Sequence, residues 1–245
     1  MINMEPYLSI IIPAYNEAER ILPTLQDINE KMQAVSYPYE IVVINDGSRD
    51  TTGQVVRSAQ TTIRNLRLID NTQNKGKGGV VRQGMLESKG AVRLFMDADN
   101  STTVDQFEAM RPWFDKGYDV VIGSRAVKGA KLEPPQPFYK QLLGKASNII
   151  IQLVNVPGIW DTQCGFKAFS QKAAEDVFRY SKIPGWGFDI EILALSRVLR
   201  YRIKEVPVRW VNDIRSHVKL SAYLKVFVEN LTIRWWLWTN AYHIK

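Results

Sequence analysis

The chain has 245 residues, 45% hydrophobic and 23% charged, enough apolar material for one large domain core and too much for a disordered chain. Its single cysteine, Cys164, excludes an internal disulfide and suits a reducing compartment. The net charge of +7 is carried from Arg179 onward, where 12 Lys and Arg face 5 Asp and Glu, whereas residues 1–178 balance at 20 against 20. A basic, aromatic-rich end points to an anionic surface or substrate, and at this level nucleic acid and anionic lipid both stay open. Glu5 and Pro6 interrupt the N-terminus, so no signal peptide is expected. The longest uncharged stretch, Ala146–Trp160, contains Pro157 and Gly158 and falls short of the ~20 apolar residues of a membrane span.

In chain order, Leu8–Pro13 is a compact apolar run typical of a buried strand, followed by Ala14-Tyr15-Asn16-Glu17. Ile21, Leu25, Ile28 and Met32 then recur at helical spacing. Tyr39–Asn45 is a second strand, ended by the turn signal Asp46-Gly47-Ser48. A helix over Thr52–Ala59, a strand at Leu66–Ile69, a loop from Asn74 to Gly79 and a helix to Lys89 come next. Ala91–Met96, apolar but for Arg93, leads directly into Asp97-Ala98-Asp99; a helix over Val104–Phe114 and a strand at Asp119–Ser124 follow. Strands alternating with helices at this spacing predict an α/β fold, a mostly parallel sheet with helices on both faces.

In such sheets ligands bind beyond the carboxyl ends of the strands. Tyr15 to Glu17, Asp46, and Asp97 with Asp99 all fall there. Two carboxylates at i and i+2 where a strand runs out can converge on one divalent cation together with a ligand's phosphates, the plain alternative being an Asp-rich turn. The glycines around Lys77 and Gly78 allow close approach of backbone to a ligand, but the loop lacks the spacing and Lys-Ser/Thr ending of an ATP-binding P-loop. Leu132–Pro137 reads as a loop. Phe138–Val154 aligns Leu142, Leu143, Ala146, Ile149, Ile150 and Leu153 on one helical face, fit either to pack on the sheet or to lie on a membrane. Tyr223–Trp238 mixes apolar residues with Lys225, Arg234, Trp235, Trp236 and Trp238, an interfacial belt or a helix packed on its own domain.

Seven stretches in order resemble the family 2 glycosyltransferases, whose nucleotide-sugar domain has the Rossmann-like GT-A fold. They are Pro13–Glu17, Asn45–Ser48, Asn74–Gly79, Asp97–Asp99, Gly123–Arg125, Asp161–Lys167 and Gly185–Glu191. The last three are similar to the polyprenyl-phosphate branch, nearest to dolichyl-phosphate glucosyltransferases. The resemblance implies a GT-A domain over 1–220; beyond it, 221–245 reads from its own residues as a basic, Trp-rich amphipathic helix fit for a membrane interface or for packing on its own domain. The resemblance also implies that Pro13, Ala14, Tyr15, Asn16, Glu17, Asp46, Gly47, Lys77, Gly78, Asp97, Ala98 and Asp99 line the donor site. Asp97 and Asp99 would hold Mg²⁺ or Mn²⁺, and Arg125 would contact phosphate.

Catalysis is expected from Asp99, Arg125 and Asp189, and acceptor or phosphate contacts from Arg125, Trp186, Glu191, His217 and Lys219. A polyprenyl phosphate is already anionic at neutral pH, so Asp189 orients sugar or acceptor; with a sugar hydroxyl as acceptor, Asp189 would be the base. Where the family usually has Gly-Ser-Lys, this chain has Arg215-Ser216-His217, and histidine needs a raised pKa to carry the lysine's charge. The implied activity is inverting transfer of a hexose, glucose from UDP-glucose, to dolichyl-type phosphate by a peripheral enzyme on the cytoplasmic face of an anionic membrane. Alternatives are GDP-mannose as donor, a carbohydrate or cell-envelope hydroxyl as acceptor, and a non-catalytic nucleotide-sugar-binding module. Nucleic-acid binding explains the charge but not the acids at the strand ends.

Overall fold

The computed structural model describes residues 5–134, 138–211 and 220–244. Strand β1 (Leu8–Ala14) is buried along its whole length. Its side chains alternate between two cores, Leu8, Ile10 and Ile12 on one face of the sheet and Ile11 on the other. Helix α1 (Ile21–Met32) presents Ile21, Leu25, Ile28 and Met32 to the first core, the face its spacing predicts. Strand β2 (Tyr39–Asp46), helix α2 (Thr52–Ala59), strand β3 (Leu66–Asn71), helix α3 (Lys77–Glu87) and strand β4 (Val92–Met96) follow.

After a short 3₁₀ turn come helix α4 (Phe107–Asp115), strands β5 (Val120–Ser124) and β6 (Lys131–Glu133) and helix α5 (Phe138–Val154). The chain continues through strand β7 (Phe166–Ser170), helices α6 (Gln171–Tyr180) and α7 (Phe188–Val198), strands β8 (Ile203–Pro207) and β9 (Arg209–Val211), and helix α8 (Leu220–Trp238).

Seven strands form one sheet in the order β3-β2-β1-β4-β7-β5-β8, and β6 pairs with β9 in a separate ribbon. All neighbours in the large sheet are parallel except β7, which runs antiparallel to both β4 and β5. Because β1 pairs with both β2 and β4, the strand order reverses there and opens a crevice beyond their carboxyl ends. Lys131–Glu133 is a strand and not part of a loop, since its backbone is paired to Arg209–Val211. Sequence alone did not mark β7, because Lys167 interrupts its apolar run.

Helix α7 is buried from Phe188 through Ser196, its two acids included. Helix α8 starts at Leu220, one residue before the boundary read from the sequence, and packs on the body through Val226, Asn230 and Ile233. Trp236 of α8 makes an edge contact with Tyr242 beyond the helix, and the Tyr242 hydroxyl donates to Glu191 Oε1 at 2.8 Å. Asn155, at the end of α5, donates to Asn230 O and Oδ1 at 2.7 and 2.8 Å. With α5 paired to α8, Ile149, Ile150 and Leu153 are exposed, and Ile150 lies beside the exposed Phe227 of α8. No helix among the described residues is long and apolar enough to cross a membrane.

Helix α3 lies close on the sheet because Gly84 has no side chain: a Cβ there would stand 2.5 Å from Ile11 Cγ2 and 2.6 Å from Ile44 Cδ1. Gly84→Ala gains about 1 kcal/mol of helix propensity. It overpacks the contact at a cost of about 1–3 kcal/mol. Net loss of stability is the expected result in denaturant unfolding; a more stable variant would refute this packing.

Candidate active site

Four strand ends, two helix starts and one reversed strand build the site. Beyond β1, Asn16 adopts a left-handed backbone (φ 55°), a conformation Asn tolerates. Its N–H donates to Ser48 Oγ at 2.9 Å, and its Oδ1 accepts from Arg49 N at 2.9 Å. The Glu17 N–H donates to Thr52 Oγ1 at 2.8 Å. These bonds tie Tyr15–Glu17 to the loop after β2 and leave the Tyr15 ring exposed beside Pro13 and Ala14, which are buried. Burial pushes the Glu17 carboxyl up, offset by Arg20, which grips it through Nε and a terminal nitrogen at 2.7 Å each.

Asp46 is buried, and its Oδ1 accepts the Lys75 N–H at 2.6 Å. The same carboxylate, expected at the donor site, also holds the glycine loop in place. Gly47 (φ +66°) closes the same corner, where a Cβ would stand 2.8 Å from the Gln73 carbonyl carbon. Gly76 (φ +80°) and Gly78 let the loop press on Pro184 and Phe188, and the Gly78 N–H donates to Pro184 O at 2.9 Å.

Asp97 and Asp99 follow β4 and flank the buried Ala98. Lys77, at the first turn of α3, places its Nζ 2.6 Å from Asp97 Oδ1 and 4.9 Å from the centre of the half-exposed Trp186 ring. Burial lowers the Lys77 pKa, but Asp97, Asp189 and Asp99 outweigh it and hold the ammonium above the ordinary lysine range. Asp99 accepts from the Ser101 N–H at 3.0 Å, and its pKa is raised by burial first and by the charge of Asp97 second. A Cβ on Gly165 would overlap the Asp97 carboxylate, so β7 can pass this close only with glycine there.

Asp189, in the first turn of α7, is buried and bonded to Lys167 from β7. Lys167 is 0% exposed and also donates to Cys164 O at 2.5 Å. Burial raises the Asp189 pKa; Lys167 and Lys77 oppose this without cancelling it. Sequence reasoning quoted Lys167 within a motif but gave it no role, although a lysine between Phe166 and Ala168 in an apolar run is itself the sign of a buried charge needing a partner.

Arg125, just past β5, is gripped by Asp161: Nε and a terminal nitrogen donate at 2.8 and 2.9 Å, and the Arg125 N–H donates at 2.8 Å. Burial would raise Asp161, but the guanidinium holds it below the ordinary carboxylate range. Any phosphate contact by Arg125 uses the N–H groups that Asp161 leaves. The Cys164 thiol is buried and pushed up to about 12 by that burial, so it is not a nucleophile.

One expected site residue is corrected. Glu191 is 0% exposed, and its oxygens accept the N–H groups of Lys182 and Ile183 at 2.9 Å each and the Tyr242 hydroxyl at 2.8 Å. It pins the 182–183 loop and the C-terminal segment and presents nothing to a phosphate. His217 and Lys219 lie outside the described residues, as does Arg215.

The sequence model of glycosyl transferase family 2 matches residues 9–178, from β1 through the acid pair and β7 into α6. A dolichyl-phosphate beta-glucosyltransferase of Trichomonas vaginalis is 34% identical over 96% of this chain and 74% of its own length. The enzyme of the same name from Dictyostelium discoideum is 38% identical over 83% and 66%, and that from Homo sapiens 31% over 97% and 78%. Among solved structures, glucosyl-3-phosphoglycerate synthase from Mycobacterium tuberculosis in complex with UDP superposes with a TM-score of 0.68 over 94% of this chain and 80% of that one, at 17% identity. The same enzyme with Mn²⁺, UDP and glucosyl-3-phosphoglycerate gives 0.67 over 93% and 80%. At that identity the structures speak for the fold, a GT-A glycosyltransferase domain, while the family match and the relatives identify the sequence: the chain belongs to glycosyl transferase family 2.

Proposed function

We propose that this chain transfers glucose from UDP-glucose to a dolichyl-type polyprenyl phosphate, inverting the anomeric centre, at the cytoplasmic face of an anionic membrane. One observation carries the reading. Asp97 and Asp99 meet the cations Lys77 and Arg125 at the crevice between β1 and β4, within electrostatic reach of one another. Two acids beside two cations suit a reaction in which both the leaving group and the nucleophile are phosphates. The named relatives support the acceptor.

Asp97 and Asp99 fit a divalent cation. They offer hard carboxylate oxygens, their repulsion contributes to raising Asp99, and the Lys77 ammonium already sets positive charge on Asp97. Among the described residues no cluster of three or more His, Cys, Asp or Glu could hold an ion, so the remaining ligands would come from the donor diphosphate and water. Bound there, Mg²⁺ or Mn²⁺ would neutralise charge on the departing nucleoside diphosphate. Lys77 then shares the same diphosphate. Tyr15 and Glu17 border the nucleotide, and Trp186 with the first turn of α7 borders the acceptor.

The acceptor phosphate needs alignment and charge compensation and has no proton that must be removed. Asp189, buried and bonded to Lys167, is suited to positioning. A hydroxyl acceptor would instead require this carboxylate as a base reaching into solvent. The lone buried cysteine accords with a reducing, cytoplasmic setting.

Labelled UDP-glucose, polyprenyl phosphate and Mn²⁺ or Mg²⁺ should give a labelled lipid that EDTA abolishes. Asp99→Ala should lower turnover by more than the roughly 10–100-fold that loss of an outer-shell metal partner costs. Product from GDP-mannose alone would correct the donor. No lipid product from any donor, despite nucleotide binding, would overturn the phosphate acceptor in favour of a hydroxyl.

The membrane assignment rests on the outer face of α8, where Leu224, Phe227, Val228, Leu231, Trp235 and Trp238 are exposed beside Lys225 and Arg234. Clustered tryptophan with basic residues suits an anionic interface, at about 1 kcal/mol per Lys or Arg near the surface. Replacing Arg234, Trp235 and Trp238 by polar neutral residues, with Trp236 kept for its contact to Tyr242, should abolish flotation with anionic liposomes. Unchanged flotation would sink the assignment.

A further inference from the structure

The turn that leads into α7 is held from outside the family-matched segment. Gly187 begins the helix, and its N–H donates to Glu229 Oε2 of α8 at 2.7 Å. A Cβ on Gly187 would stand 2.7 Å from Glu229 Cβ, and one on Gly185 would overlap the same carboxylate. Both glycines therefore admit one acid: the Gly185-Trp186-Gly187 turn closes around Glu229. Between them Trp186 is half exposed and lies under the Lys77 ammonium, which pairs with Asp97. Two residues further on is Asp189. On its other side the turn is tied to the glycine loop through Pro184 O. Within α8, Glu229 lies on the face that packs on the body, between buried Val226 and Ile233, where a carboxylate needs a partner.

We propose that Glu229 is a positioning residue for the acceptor. It fixes the Gly187 N–H at the start of α7 and thereby sets Trp186 against Lys77 and the first turn of α7 against the acid pair. The same bond joins the acceptor side of the crevice to α8, the helix whose outer face is apolar. A carboxylate at a helix start is also favoured by the helix dipole, which strengthens the latch without being the reason for it. The proposal rests on the transferase reading above for its acceptor, and on geometry alone for the latch.

The test compares Glu229→Ala and Glu229→Gln in the full chain. In Glu229→Ala the KM for polyprenyl phosphate should rise at least five-fold while the KM for the nucleotide sugar stays within two-fold. A partly unfolded preparation would lower turnover and move neither KM. Glu229→Gln keeps an oxygen that accepts the Gly187 N–H and should restore the acceptor KM to within two-fold of the parent. Hydrogen–deuterium exchange of the peptide over 184–189 should quicken in Glu229→Ala and not in Glu229→Gln. Unchanged exchange in Glu229→Ala, or an acceptor KM within two-fold of the parent, overturns the proposal. If the parent chain forms no lipid product from any donor, the transferase reading and the acceptor role fall together. Exchange then still decides whether Glu229 latches the turn.

Discussion

Carboxylates do not share a buried corner unless cations hold them there. The charge of Asp97 helps raise the pKa of Asp99 and of Asp189, all three acids are felt by the Lys77 ammonium, and Glu17 is raised in part by the first two. Lys77, Lys167 and Arg20 are placed against them, and Arg125 is set in the grip of Asp161. Of these pairs Lys167 with Asp189 is buried, and a buried charge left without its partner costs about 3–5 kcal/mol. The balance of these charges is what a nucleotide sugar would disturb. Lys77 pairs with Asp97 at the crevice, and a metal-bound diphosphate would take both halves of that pair into a larger one.

The fold supplies the cations by a topological device. Were every strand parallel, β7 would bring its carboxyl end to the crevice and leave Lys167 on the far side of the sheet. Running antiparallel between β4 and β5, it brings its first residues to the rim, with Gly165 against Asp97 and Lys167 beneath Asp189. Helices α3 and α7 add their starting turns, so Lys77 and Asp189 arrive from opposite sides of one loop contact, Gly78 on Pro184. Glycine recurs where the elements cross because there one backbone runs close against another segment's backbone, side chain or carboxylate.

The periphery is organised by the pairing of α5 with α8. Asn155 Oδ1 and Asn230 Nδ2 are buried without a partner among the described residues, while Asn155 Nδ2 joins the two helices by donating to Asn230 O and Oδ1. Their alignment turns the rest of both apolar faces outward. Glu191 does comparable work inward: by holding Lys182, Ile183 and Tyr242, it ties the last turn of the chain to the helix that carries Asp189. An acid that looks from its motif like part of the chemistry is thus part of the frame.

What the sequence determined by itself is local in origin. Short, mostly apolar runs separated by helical spacing specify strands and helices, and parallel pairing then places Glu17, Asp46, Asp97 and Asp99 at one edge, whatever the distant contacts. The acid pair was legible because both its members follow a single strand. What tertiary structure alone decided are relations between elements far apart in sequence. These include the reversed direction of β7, the capture of Arg125 by Asp161, the service of Asp46 to its own loop, and the burial of Glu191. The outward face of α5 belongs with them, since its stripe of Ile149, Ile150 and Leu153 would read the same packed on a sheet. Periodicity records that a residue wants a partner, and burial or pairing depends on which element arrives to provide one.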